Sequence, residues 1–268
     1  MEPIEMAEKI LSSRKYRNLN IPPETVVDLI SRALDHGLKP DKAVDDAREK
    51  LHNIVAPYLG DPDYADAMQE LSQISVFPNN RDLKEFSLKM LQSHASTKER
   101  IPVMDEFYSR LFEVTGNPSS LLDLACAMQP FAHPWMRLPT DCDYYAYDLH
   151  KPRVDLINLF FQSAGVKGRA YYGDILLQPP QFKADMAFFF KEAHRFDQRQ
   201  KGCNRNFWLA LDVRWLVVSL PAANLTGRFD LADRQRRLVT GTLDGLDWPV
   251  TEILTGNELV FCIRKHND

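Results

Sequence analysis

Leu121-Leu122-Asp123-Leu124-Ala125-Cys126-Ala127-Met128-Gln129-Pro130 is a short apolar run followed by small residues and a proline. Such a run has the pattern of a strand buried on both faces of a parallel sheet. The small residues after it suit a tight turn where backbone approaches a ligand. In an open α/β sheet a nucleotide-like cofactor binds there, outside the carboxyl end of the first central strand. The same run also describes a plain core strand and its turn, so its meaning depends on the strands that come after it in the chain.

Residues 144–147 form a second strand-like run ending at Asp148, which lies 25 positions beyond Asp123. An acidic residue at that spacing, on the tip of the next strand, is where a ribose diol is held, because a carboxylate accepts from both hydroxyls. Residues 156–164 read as a helix closed by Gly165 and Gly168, and 169–172 as a third strand with Gly173-Asp174-Ile175 at its tip. There Asp174 is placed to accept from an exocyclic adenine amine while Ile175 covers the ring. Taken singly, each acid also fits a solvated strand end. As an ordered set, the turn, the ribose acid and the adenine acid have the order and spacing of a class I S-adenosylmethionine-dependent methyltransferase.

The rest of the chain fits that frame. Residues 185–190 predict a fourth strand with Lys191 at the tip where substrate would approach, and 214–220 a fifth ending at Ser219-Leu220-Pro221. The last two strands, 249–254 and 258–265, are joined by the hairpin-sized Thr255-Gly256-Asn257. The expected fold is α/β, a Rossmann-like seven-stranded sheet over residues 93–268, preceded by an all-helical domain over residues 1–92. In that first segment Ala7, Ile10 and Leu11 share a helical face, as do Val26, Val27, Ile30 and Leu34 after Pro22-Pro23. Asp41 is a candidate cap for a third helix whose apolar stripe ends at Pro57, and two further stripes occur around Met68 and Phe86. Arg14-Lys15-Tyr16-Arg17 is the one dense basic cluster of the segment, either a solvated helix end or a phosphate-contacting edge.

Between the two regions lies Ser93-His94-Ala95-Ser96-Thr97-Lys98-Glu99-Arg100. Ser96 and Glu99 have capping-box spacing, whereas Pro102 suggests that the main helix starts there and runs to about residue 114. Gly116-Asn117-Pro118 then delivers the chain to the central strand. Arg100 is placed to reach back over the strand tips, where a guanidinium clamps a carboxylate bidentately. The methionine moiety of the methyl donor carries one. Standing alone, Arg100 also fits an exposed helix arginine.

Composition sets the bounds. With 44% hydrophobic and 26% charged residues, the chain reads as a globular protein. A net charge of -4 excludes a generally basic nucleic-acid coat but not a local basic patch. Cys126, Cys142, Cys203 and Cys262 form no metal-ligand pattern, so reduced thiols and no bound metal are expected. No apolar run approaches a membrane span and the acidic start does not resemble a signal peptide, which predicts a cytoplasmic protein without membrane contact.

His94-Ala95-Ser96-Thr97-Lys98-Glu99-Arg100, Leu122-Asp123-Leu124-Ala125-Cys126 and Asp148-Leu149-His150 resemble the signature of the 16S ribosomal RNA guanine-N7 methyltransferases of the Arm, Rmt and Kam type, which confer aminoglycoside resistance. Ser13-Arg14-Lys15-Tyr16-Arg17 and Ala47-Arg48-Glu49-Lys50-Leu51-His52 resemble that family's helical RNA-binding extension, and Gly256-Asn257-Glu258-Leu259-Val260 its last hairpin. The resemblance covers nearly the whole chain. It implies Arg100 on the methionine carboxylate, the turn at Ala125 to Ala127 beneath the methionine, Asp148 on the ribose, and Asp174 with Ile175 at the adenine. His94, Asp123, Gln129, Leu149 and Lys191 complete the implied S-adenosyl-L-methionine site. Lys15, Arg17, Arg48, Tyr58 and Arg228 are the implied rRNA contacts. The implied partner is the 30S ribosomal subunit, met by a monomer, and the implied target is the decoding-site guanine 1405 of its 16S rRNA.

Three departures stand out. The family turn usually reads Ala-Cys-Gly-Leu-Asn-Pro, against Ala125-Cys126-Ala127-Met128-Gln129-Pro130 here. If Ala127 must adopt positive φ, its Cβ costs on the order of 1 kcal/mol, roughly fivefold in cofactor affinity. The family's Lys-Leu-Leu-Pro after the fourth strand is Lys191-Glu192-Ala193-His194. The family arginine expected to face the target nucleotide is Ala223, and such a contact is worth about 1 to 3 kcal/mol.

Guanine N7 has an in-plane lone pair and no proton to lose, so its methylation needs positioning and no catalytic acid or base. The target base must be flipped from its stack, and Trp135 or Phe189 is a candidate lid to receive it. Two other functions remain open: a methyltransferase with a different rRNA target, suggested by Ala223, and a catalytically weak ribosome-binding homologue, suggested by Ala127 and Gln129.

Overall fold

The structure, a computed structural model, describes residues 2–55, 61–74, 80–223 and 231–265. At its centre lie β1 (Ser120–Leu124), β2 (Asp143–Asp148), β3 (Gly168–Tyr172), β4 (Ala184–Phe190), β5 (Val213–Pro221), β6 (Val250–Thr255) and β7 (Glu258–Arg264). They form one seven-stranded sheet in the order β3-β2-β1-β4-β5-β7-β6. The first five strands run parallel, and the β6–β7 hairpin pairs antiparallel to β5. This is the expected Rossmann-like sheet of a class I methyltransferase. Because β1 has β2 on one side and β4 on the other, chain connections diverge at its tip and leave a crevice there.

Both faces of the sheet are covered. In the amino-terminal half lie α1 (Pro3–Leu11), α2 (Pro23–Asp35), α3 (Pro40–Val55), α4 (Tyr64–Gln73), α5 (Asn80–Ser93), α6 (Ala95–Lys98) and α7 (Met104–Thr115). Beyond β1 come α8 (His133–Met136), α9 (Lys151–Ala164), α10 (Ala193–Arg199), α11 (Cys203–Ala210) and α12 (Ala232–Leu243). Strand side chains alternate between the two layers. Leu121, Met186 and Phe188 pack with α5, α7 and α9, whereas Leu122, Leu124, Ala187 and Phe189 pack with α11 and α12. Phe189 is fully buried in the second layer and Trp135 is buried in α8, so neither is a lid for a target base.

The cores do not divide at residue 92. Buried side chains of α1, α2 and α3, among them Met6, Ile10, Val26, Leu29 and Leu51, form a separate cluster. Leu71 of α4 and Phe86, Met90 and Leu91 of α5 belong instead to the core under the sheet. The helical stripes are where periodicity put them; what periodicity does not report is which neighbour a stripe packs against.

Element ends shift for local reasons. The third helix starts at Pro40, which puts Asp41 inside the first turn rather than at the cap. His94, not Ser96, is the N-cap of the short α6, and a 3-10 turn over Ile101–Val103 delays the main helix to Met104. The helix after β2 begins at Lys151, with Pro152 in its first turn. Among the described residues no helix is long and apolar enough to cross a membrane.

Candidate functional site

At the tips of β1, β2, β3 and β4 the structure has a cavity of about 720 Å³. Its wall includes His94, Ala125, Ala127, Asp148, Leu149, Asp174 and Ile175, seven of the residues singled out from the sequence. Both alanines of the turn have positive φ, 50° at Ala125 and 48° at Ala127. The chain's own hydrogen bonds hold them so: Cys126 N donates to Tyr147 O at 2.9 Å and Ala127 N donates to an Asp148 carboxylate oxygen at 3.0 Å.

Each acid keeps part of its hydrogen-bonding capacity for the cavity. A carboxylate has about four acceptor positions. For Asp148, Oδ2 accepts from Ala127 N and from Arg153 at 3.0 Å, and Oδ1 accepts from His150 N at 2.8 Å. One position is left, on Oδ1, enough for one ribose hydroxyl rather than both. For Asp174, Oδ2 accepts from Thr25 Oγ1 at 2.9 Å and pairs with Arg199 at 2.6 Å, and Oδ1 accepts from Leu176 N at 3.0 Å. Again one position remains on Oδ1.

Asp123, Arg100, Gln129 and Lys191 lie outside the cavity wall. Asp123 is 1% exposed and accepts from Tyr144 OH at 2.6 Å, and burial raises its carboxyl to about 8. It is thus a largely protonated core group at neutral pH. Arg100 is buried, packed against the rings of both Phe107 and Phe190, and gripped bidentately by Glu258 of β7. The carboxylate in this guanidinium's fork is the chain's own. Gln129 bridges Arg100 to the Tyr108 hydroxyl. Lys191, at φ 58°, reaches Glu99 at 2.8 Å, Ser96 O at 3.2 Å and Glu258 at 3.6 Å. Desolvation opposes charge on Arg100 and Glu258, but their mutual attraction prevails, holding the arginine above and the glutamate below its ordinary range. The segment 94–100 therefore clamps the tips of β4 and β7 beside the cavity.

Several wall residues were not among those the sequence assigned to the cofactor. Glu192 and His194, two of the departures after β4, line the cavity. Burial raises the Glu192 carboxyl to about 7 and lowers the His194 and His94 imidazoles to about 4, leaving both histidines neutral at pH 7. Lys50, Asn53 and Ile54 enter the wall from α3, and Tyr147 and Phe196 are the aromatic rings present. Arg153, five residues after Asp148, ties it to Asp61 at 2.7 Å just before α4. Only its place one turn into a helix that starts at the β2 tip hints at this.

Of the implied rRNA contacts, Lys15, Arg17 and Arg48 are exposed, while Tyr58 and Arg228 lie outside the described residues. Lys15 Nζ sits 3.1 Å from His52 Nδ1 on α3, and Tyr16 OH donates to Arg48 O at 3.4 Å. The loop after α1 and the helix α3 thus bring these basic residues together. Arg236 of α12, by contrast, is held by Glu252 and Asp233.

Residues 12–261 match the family model for ribosomal RNA methyltransferase (FmrO). The chain is 27% identical over 269 residues to a 16S rRNA (guanine(1405)-N(7))-methyltransferase of Micromonospora rosea, covering 97% of this chain and 96% of that one. It is 28% identical over 278 residues to a protein of the same name from Proteus mirabilis, again covering 97% and 96%. Among solved structures, the 16S rRNA methylase RmtB superposes with a TM-score of 0.78 at 25% identity over 99% of both chains. The 16S rRNA methyltransferase RmtF in complex with S-adenosyl-L-homocysteine does so with a TM-score of 0.79 at 26% identity, over 99% of this chain and 98% of that one. With the match running through both the helical segment and the sheet, this chain belongs to the FmrO family of ribosomal RNA methyltransferases.

Proposed function

We propose that this protein transfers the methyl group of S-adenosylmethionine to N7 of the decoding-site guanine 1405 of 16S rRNA in the 30S subunit, working as a cytoplasmic monomer and conferring aminoglycoside resistance. The observation that carries the donor site is the cavity where Asp148 and Asp174 each keep one acceptor position, beside a turn narrowed to alanine side chains. Asp148 takes one ribose hydroxyl, Asp174 the adenine amine, Ile175 and Leu149 the apolar faces, and the Ala125–Ala127 backbone the methionine. His94, neutral at pH 7, adds no positive charge beside a sulfonium. Arg100 and Lys191 act through Glu258, fixing the strand tips on which the methionine end rests.

In the transfer the guanine N7 lone pair forms the N–CH₃ bond as the S–CH₃ bond breaks, releasing S-adenosylhomocysteine. No proton leaves N7, so the chain's task is alignment and exclusion of water. The exposed group of Lys15, Arg17 and Arg48 supplies phosphate contacts that orient the subunit.

The test is transfer of tritium from labelled S-adenosylmethionine to purified 30S subunits, followed by strand cleavage at N7-methylguanine. Label at the decoding-site guanine is expected. Label elsewhere would support a second target, which Ala223 in place of the family arginine favours. No label, together with no calorimetric binding of the donor, would overturn the enzymatic reading.

A further inference from the structure

The adenine-side acid is held in place from outside the sheet domain. Thr25, in the first turn of α2, is fully buried, and its hydroxyl donates to Asp174 Oδ2 at 2.9 Å across 149 residues of chain. Three residues on, Asp28 lies 3.6 Å from Arg199, which itself pairs with the same Asp174 oxygen at 2.6 Å. Next to them Tyr172 OH, at the end of β3, donates to Asn20 O at 2.6 Å. The tip of β3 is therefore gripped directly at two points by residues 20–25, and at a third from Asp28 through Arg199.

This grip fixes which Asp174 oxygen faces a ligand. The terminal torsion of an aspartate is broad and roughly two-fold, so its carboxylate turns easily unless both oxygens are engaged. Thr25 donates the hydrogen bond to Oδ2, Arg199 Nη2 faces the same oxygen at 2.6 Å as an ion pair outside hydrogen-bond geometry, and Leu176 N takes one position on Oδ1, which leaves an acceptor on Oδ1 for a ligand. Without the threonine hydroxyl, Oδ2 keeps the ion pair with Arg199 but loses its hydrogen bond, and the carboxylate is set less firmly. The same helical unit has a second contact with the site, since α3 contributes Lys50, Asn53 and Ile54 to the cavity wall. Helices α1, α2 and α3 share one core, so what holds α2 holds the face that carries Lys15 and Arg48.

We propose that Thr25 is a positioning residue for methyl-donor binding, and that through it the donor and the 30S subunit bind this chain cooperatively, each raising the affinity for the other. The proposal rests on the reading of Asp174 as the adenine acceptor and of the α1–α3 unit as the rRNA-facing surface. Linkage makes the coupling reciprocal: a helix unit that sets Asp174 for the donor is itself held more firmly once the donor is bound.

The test measures S-adenosylhomocysteine binding by calorimetry, and 30S binding at fixed salt with and without saturating S-adenosylhomocysteine. In the wild-type chain S-adenosylhomocysteine is expected to tighten 30S binding by about fivefold, the lower end of usual coupling. Thr25→Val should weaken S-adenosylhomocysteine by about five- to tenfold, as expected for the net contribution of one ordinary hydrogen bond, and remove that tightening. Thr25→Ser, which restores the hydroxyl, should recover both, which a purely structural role for the side chain does not predict. Unchanged S-adenosylhomocysteine affinity in Thr25→Val overturns the proposal. So does wild-type 30S affinity that ignores S-adenosylhomocysteine, a result that decides the matter even if the valine variant fails to fold. Asp174→Asn separates the layers. If it weakens S-adenosylhomocysteine while Thr25→Val does not, only the present proposal fails; if it has no effect, the adenine reading fails with it.

Discussion

Ala125 and Ala127 occupy left-handed backbone that favours glycine, yet the sequence supplies alanine at both. Hydrogen bonds within the chain impose that conformation, so the strain is a cost to folding rather than to donor affinity. Ala127→Gly is accordingly expected to raise unfolding stability by about 1 kcal/mol while leaving S-adenosylhomocysteine affinity unchanged. Denaturant midpoints and calorimetry check the two halves, and a less stable glycine variant would sink the argument. Arg100 poses a different problem, because its guanidinium faces a buried glutamate. Removing one member of such a pair costs about 3 to 5 kcal/mol, whereas replacing both by apolar groups is often tolerated. Arg100→Ala should therefore unfold far more readily, and Arg100→Met with Glu258→Leu should recover most of the loss. If donor affinity recovers with stability in that double variant, Arg100 acts only through Glu258; if stability returns and affinity does not, it touches the methionine carboxylate. Asp123 makes a pH-dependent prediction. Its folded pKa, about 8, lies above the ordinary carboxylate value of 3.8, so the folded state binds more protons and stability falls as pH rises from about 4 to about 8. Asp123→Asn stays neutral throughout and should exceed the wild type at pH 9 by at least about 1 kcal/mol, with the advantage shrinking toward pH 5. Equal pH profiles from thermal unfolding would contradict the assignment.

At the level of elements, what the sequence discloses depends on whether a feature is local. The strand β1, its turn and the acid at the β2 tip were legible because a buried parallel strand leaves a continuous apolar run and the fold requires small residues directly after it. The helical stripes were legible for the same reason, since each is an intrahelical period. What stayed hidden are pairings between distant positions: Arg100 with Glu258, Asp174 with Thr25, and Asp148 with Asp61 through Arg153. No local pattern names a partner 158 residues away, the separation of the first pair. The same limit hides which core each helical stripe joins. The stripes on α4 and α5 look like those on α1 to α3, and only packing shows that Leu71 and Phe86 insert under the sheet. Glu192 and His194 were visible as departures from the family pattern, but their place in the cavity comes from the turn at Lys191, whose positive φ redirects the chain after β4.

Over the whole molecule, a chain with net charge -4 must approach a phosphate-rich particle, so its attraction has to be local. The exposed arginines and lysines are not equivalent in this respect. Lys15 and Arg48 stand together on the α1–α3 unit; the former has a histidine nitrogen at 3.1 Å, the latter a single exposed aspartate at 3.8 Å. Arg236 on α12 is held by Glu252 at 2.7 Å and by Asp233 at 3.2 Å, so its charge is already answered. Each phosphate contact releases counterions, and losing one lowers the slope of log affinity against log salt by about 1. For Lys15→Ala and for Arg48→Ala we expect weaker 30S binding and a slope reduced by about 1 each, with S-adenosylhomocysteine affinity retained when measured without the subunit. Arg236→Ala should leave the slope as in the wild type. Binding measured over a salt series decides between the two surfaces: a slope that drops with Arg236 and not with Lys15 or Arg48 would move the rRNA face from the α1–α3 unit to the carboxyl-terminal side of the sheet.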